Sequence, residues 1–157
     1  MKKKEILFII LFIAICGSII FALHSTNKKA SDNIKTVSDG DIEVEITDSY
    51  FIQATNDIYF NMDDYVGKTI RMEGLVYSYE DTEGEIRFAV VRNTPGCCGA
   101  DGLAGLDIQY DKEYPAEDTW VEVIGVIEKD VISGFDTPVI KLTALAEKEE
   151  GTTFVTN

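Results

Sequence analysis

The spacing of apolar and polar positions divides the chain into three regimes. The first is residues 6–23, "ILFIILFIAICGSIIFAL", eighteen positions without a charge. At about 1.5 Å rise per residue such a helix is about 27 Å long, close to the hydrocarbon thickness of a bilayer. No polar face interrupts it, which argues against a buried core helix. The pattern predicts an N-terminal transmembrane helix, with residues 1–23 as a membrane anchor. Lys2, Lys3 and Lys4 precede the run. Positive residues there keep the N-terminus in the cytoplasm and place the rest of the chain outside. Two other readings stay open. Cys16 could carry a lipid, since Gly17 and Ser18 follow it, although Ile15 before it is bulky and the apolar run continues past it. A cleaved signal peptide needs small residues at the cut, and "FALHSTN" offers Ala22 but no small residue two positions later. All three export the remainder.

The second regime, residues 24–40, is polar and lacks periodicity, as a tether does. The only histidine, His24, stands at its membrane end and reads as an interfacial residue.

The third regime alternates. "DIEVEIT" places Ile42, Val44 and Ile46 between charges, the signature of a half-exposed strand. Residues 49–68 could form a short helix or an irregular cover. Five longer strand candidates follow: "TIRMEGLVYSYE", "IRFAVVRN", "LAGLDIQYD", "TWVEVIGVIEKD" and "TPVIKLTALAEKE". The first and fourth contain mid-strand glycines, Gly74 and Gly125, where a strand bulges or bends. Such a glycine lets a long strand serve both halves of a small barrel. The pattern therefore predicts an all-β, five-stranded OB-like barrel over residues 41–150, with 151–157 as a tail. An open sandwich is the alternative.

Charge narrows the partners. Residues 40–157 hold eight Lys/Arg against 25 Asp/Glu, a formal charge of −17. Nucleic-acid binding rests on neutralising phosphates, and there is no basic stripe among the aromatics, so no nucleic acid is expected. An anionic membrane surface is disfavoured for the same reason.

The chemistry concentrates in "RNTPGCCGADG", which sets Cys97 beside Cys98 in a Pro/Gly-rich loop. Adjacent Cα atoms lie about 3.8 Å apart, below the roughly 4.4–6.8 Å of a disulfide, so the two do not readily bridge each other. Exported free thiols tend to be oxidised unless something protects or uses them. A soft metal such as Zn²⁺ would do both. If "CCGAD" makes a helical turn, Asp101 stands beside both sulfurs. Two sulfurs and one oxygen leave a four-coordinate site open for a partner, water or another carboxylate, which suits ion transfer. Two other readings remain: a plain turn with one packed cysteine, and redox or intermolecular disulfide chemistry. No catalytic set stands out, because the domain has no histidine to act as general base or to activate a cysteine, and no enzyme is expected. Trp120 reads as core.

With these residues in view, the chain resembles the YcgQ-like family of bacterial exported permease subunits. The similarity runs from about Ile42 to Lys148 and rests on "DIYFNMDDYVGKTIRMEGLVY", "RFAVVRNTPGCCGADGLAGLDI", "DTWVEVIGVIE" and "TPVIKLTALAEKE". The resemblance implies a membrane-attached, OB-like extracytoplasmic domain linked to an integral-membrane permease, with a role in metal handling. By match of motif, Cys97, Cys98 and Asp101 would be the functional residues. The chain departs from the family in carrying one N-terminal apolar segment, where relatives often have two, and in ending "EEGTTFVTN". The expectation is an accessory subunit at the bacterial cell membrane that binds one zinc-like ion. The alternative is a non-catalytic surface interaction or structural protein whose cysteines pack or cross-link.

Overall fold

The computed structural model describes residues 41–96 and 101–156, with Asp101 described through its backbone. The anchor expected over 1–23, the tether over 24–40, Cys16, His24, Cys97 and Cys98 all lie outside the described residues. Among the described residues, no helix is long and apolar enough to cross a membrane.

A short strand β1 (Val44–Glu45) and a 3₁₀ turn (Asp48–Tyr50) lead into helices α1 (Phe51–Phe60) and α2 (Met62–Tyr65). Five long strands follow: β2 (Thr69–Glu80), β3 (Ile86–Pro95), β4 (Asp101–Gln109), β5 (Trp120–Ile132) and β6 (Phe135–Glu147). The described part is thus mostly β-sheet. The expectation of five strands is corrected to six, because the "DIEVEIT" alternation does form β1, which pairs in parallel with β2 at Ile70 and Arg71.

The pairing order is β1-β2-β3-β4-β6-β5, and an additional β2–β5 pairing closes the order on itself. Leu75 is where β2 changes partner: it pairs with β5 from Thr69 to Leu75 and with β3 from Leu75 to Glu80. Gly74 permits the crossing, since a Cβ there would lie 2.6 Å from the Val91 carbonyl oxygen. Gly125 has the same role in β5. The β5–β6 register shifts between Ile124 and Gly125, and a Cβ at Gly125 would stand 2.3 Å from the Lys141 carbonyl oxygen. The β4–β6 pairing is parallel and confined to Asp107–Gln109 against Val139–Lys141.

Period-two alternation points Ile70, Met72 and Val76 of β2, Val90 of β3, Leu106 and Ile108 of β4, and Val121, Val123 and Ile127 of β5 into one core. Helix α1 packs against β4 and β6. It buries Phe51, Thr55 and Ile58, spaced along one face. The segment whose sequence left helix and irregular cover open is therefore helical.

The C-terminal residues also belong to the sheet. The Asn93 N–H donates to the Thr153 carbonyl at 2.8 Å, and the Val155 N–H to the Asn93 carbonyl at 2.9 Å. β2 pairs with β3 only as far as Val91, so this segment takes the edge of β3 that β2 leaves. Val155 enters the core.

Candidate functional site

The cysteine loop is the connection of the β3–β4 hairpin. β3 ends at Pro95, β4 begins at Asp101, and those two residues pair. Below them Thr94 pairs with Gly102, Asn93 with Leu103 and Arg92 with Ala104. Asp101 opens β4, and the rest of the helical turn considered over Cys97–Asp101 lies outside the described residues. Among the described residues, no group of three or more His, Cys, Asp or Glu is placed to hold a metal ion.

The β3 arm of this hairpin is bonded on both sides at Asn93, to β4 on one edge and to residues 153–155 on the other. Its root is locked by Arg92, a fully buried side chain at 2% exposure. The Arg92 Nε–H donates to the Glu73 carbonyl at 2.9 Å, and Nη1 bonds the Asp48 carboxylate of the 3₁₀ turn. The guanidinium lies over the Phe51 ring at 4.7 Å and the Trp120 ring at 5.0 Å. Two ring faces, a carbonyl and a carboxylate together compensate the cost of burying the charge. The Arg92 guanidinium beside Asp48 holds that carboxyl below the usual carboxylate range, and Thr152 adds to the effect. One residue therefore ties the hairpin to the 3₁₀ turn, α1 and β5. Sequence reasoning missed this role, though the signal was present: Phe88, Val90 and Arg92 are two apart, so Arg92 shares their inward phase. A cleft of about 390 Å³ opens beside it, lined among others by Asp48, Arg71, Glu73 and Glu122.

A second polar cluster, also unforeseen, lies lower on the sheet. The Tyr79 hydroxyl donates to the Asp107 carboxylate at 2.6 Å, and the Gln109 amide donates to Asp130 at 2.8 Å. Arg87 bonds Asp81 at 2.9 Å and stands 3.7 Å from Asp130. Burial pushes the Asp107 carboxyl up, against the lowering effect of the Tyr79 hydrogen bond and the Arg87 charge. Burial, then the Asp107 charge, pushes the Tyr59 phenol up to about 12. Tyr79 is raised by burial first and by its bond to Asp107 second. Tyr59 and Tyr79 therefore stay protonated near neutral pH, and the cluster forms a structural network with no evident nucleophile.

The sequence profile of the DUF1980 C-terminal domain matches residues 21–155. The chain belongs to the DUF1980 C-terminal domain family. It is similar to the UPF0703 protein YcgQ of Bacillus subtilis (strain 168), 23% identical over 104 residues. That match covers 64% of this chain and 36% of the relative, so the chain spans about a third of that protein's length. The family expected from the motifs, YcgQ-like, is thus the family found. Among solved structures, the chain is similar to a small single-stranded DNA-binding protein from Streptomyces coelicolor, at 14% identity and a TM-score of 0.35 over 53% of this chain and 94% of the other. It is also similar to the N-terminal domain of PriB from Thermoanaerobacter tencongensis, at 12% identity and a TM-score of 0.31 over 52% of this chain and 97% of the other.

Proposed function

We infer that this protein is a membrane-anchored, extracytoplasmic accessory subunit of an integral-membrane permease. The closed strand order is read as an OB-type barrel, and the first 23 residues as its anchor. Cys97 and Cys98 supply thiolates to one thiophilic ion such as Zn²⁺, and Asp101 assists. The observation that carries the reading is the β3–β4 hairpin. It joins the two cysteines to a stem whose β3 arm is bonded on both sides at Asn93 and anchored through Arg92, the kind of support a presented ligand set requires. The donor set fits a soft ion: thiolates select zinc-like metals, and three donors leave a position through which an ion can pass. The formal charge of −17 over residues 40–157 favours attraction of cations and disfavours nucleic acid.

The test is elemental analysis of the full chain, purified reduced and without chelators. About one thiophilic ion per chain is expected, and the Cys97→Ser/Cys98→Ser variant should lose it. Equal metal in both proteins would end the proposal.

A second reading, a non-catalytic surface interaction protein, is favoured by the exposure of Phe60 at 85% and Phe135 at 74%. Under it the cysteines pack or cross-link, and non-reducing gels would show disulfide dimers or thiols inert to alkylation.

A further inference from the structure

The corner between α1 and α2 faces the β5–β6 hairpin across a cleft of about 320 Å³. The hairpin turns tightly through Ser133 and Gly134, both with positive φ, at 53° and 82°. On the helical side the cleft is walled by Tyr59, Phe60 and Met62. Phe60 is 85% exposed, and Val131, paired with the cleft residue Asp136, is 60% exposed. Large apolar side chains concentrated around one cleft mark an interaction surface more often than chance exposure does.

The rim defines what fits. Asp63, Asp64 and Asp136 line the cleft, and among the described residues Lys129 is its single cation. Lys129 is already committed to Asp63 at 2.8 Å and stands 3.7 Å from Asp136. A second cation beside apolar groups would complement the remaining negative charge. A phosphate backbone or an anionic lipid surface would be repelled. We propose that this cleft docks a polypeptide segment of a partner that carries apolar side chains flanked by Lys or Arg. The occupant packs its apolar residue against Phe60 and sets its cations against Asp63, Asp64 and Asp136. Its lining among the described residues holds no cysteine, and its test does not depend on metal binding.

The methionines provide a readout. Met62 lines this cleft, whereas Met72 is buried at 1% exposure and lines the cleft beside Arg92. The full chain, labelled with ¹³C at the methionine methyls and held in non-ionic detergent, is titrated with the peptide acetyl-Lys-Leu-Lys-Phe-Lys-amide. A saturable shift of the Met62 methyl with Met72 unmoved is expected. A Gly-for-Leu/Phe peptide of equal charge should bind about tenfold more weakly, as should the apolar peptide to Phe60→Ser. Asp63→Asn/Asp64→Asn should weaken binding several-fold, and a Glu-for-Lys peptide should give no shift. The proposal is overturned if Met62 does not respond, or if the Gly peptide or Phe60→Ser binds as well as the reference. An oligothymidylate that moves Met62 more effectively would make the cleft a nucleic-acid site. A Met62 shift with protein concentration alone would give the cleft to a second copy.

Discussion

Replacing Asp48 with alanine tests the lock at the root of the hairpin. The wild-type contact joins a guanidinium of 2% side-chain exposure to a carboxylate of 55% exposure. A hydrogen bond to a charged group contributes about 1.5–3 kcal/mol. Half-exposure of Asp48 allows solvent to screen it, which reduces that to about 1–1.5 kcal/mol. The substitution also leaves a buried cation one partner short. Such losses cost roughly 3–5 kcal/mol where no compensation exists. Here the Glu73 carbonyl and both aromatic rings remain, and the adjoining cleft of about 390 Å³ has room for water at Nη1. The net cost of Asp48→Ala is therefore about 2 kcal/mol, the two contributions together. Urea unfolding of the full chain reads it through fluorescence of Trp120, the only tryptophan, whose ring lies 5.0 Å from the Arg92 guanidinium carbon. The pH dependence supplies a second check. The Asp48 carboxyl is lowered in the folded state chiefly by its Arg92 hydrogen bond. Its contribution is present above the ordinary carboxylate range near pH ~4 and is lost as pH falls through the lowered folded value. The gap between wild type and Asp48→Ala should therefore close on acidification below that range. In Arg92→Met/Asp48→Ala the two losses should not add. A cost below about 0.5 kcal/mol, or a gap unchanged from neutral to acid, would refute the argument.

Two further substitutions probe the frame and the second polar cluster. Gly125→Ala should destabilise by about 1–3 kcal/mol in the same unfolding assay, because the added methyl meets the β6 backbone; a neutral result would remove the close approach as the reason for glycine there. Asp107→Asn should gain stability relative to wild type as pH rises. The folded carboxyl is raised, chiefly by burial, so its favourable contribution is full below the unfolded value and is lost as pH climbs through the folded one. The amide oxygen can still accept from Tyr79, and a thermal-melting series showing no pH trend between the two proteins would contradict this reading.

Much of the strand content was legible because period-two alternation is a local signal. The expected stretches beginning at Thr69, Ile86 and Thr119 correspond to β2, β3 and β5 within a few residues. Gly74 and Gly125 announced the bend and the bulge for the reason the structure displays: a neighbouring strand passes where a Cβ would be. What escaped was long-range. The start of β4 at Asp101 depends on pairing with Pro95, and glycine-rich sequence before Leu103 gave no alternation to read. Residues 153–155 join the sheet only because β2 leaves β3 after Val91, which no local pattern encodes. Arg92 was hidden differently. Its phase marked it as inward, but the aromatic rings and carboxylate that make burial tolerable come from residues 41 and 28 positions away for Phe51 and Trp120, and 44 for Asp48. The adjacent thiols were conspicuous from composition, while the contacts that hold Arg92 and Asn93 of β3 were not.

The central claim is that Cys97 and Cys98 hold one ion together, and thiol protection measures it most directly. The reduced full chain is alkylated with and without stoichiometric Zn²⁺, and modification at each of its three cysteines is followed by mass spectrometry. Zinc should slow alkylation of Cys97 and Cys98 in parallel while Cys16 reacts at its metal-free rate. Unchanged rates at both neighbouring cysteines, or protection of one without the other, would contradict the account.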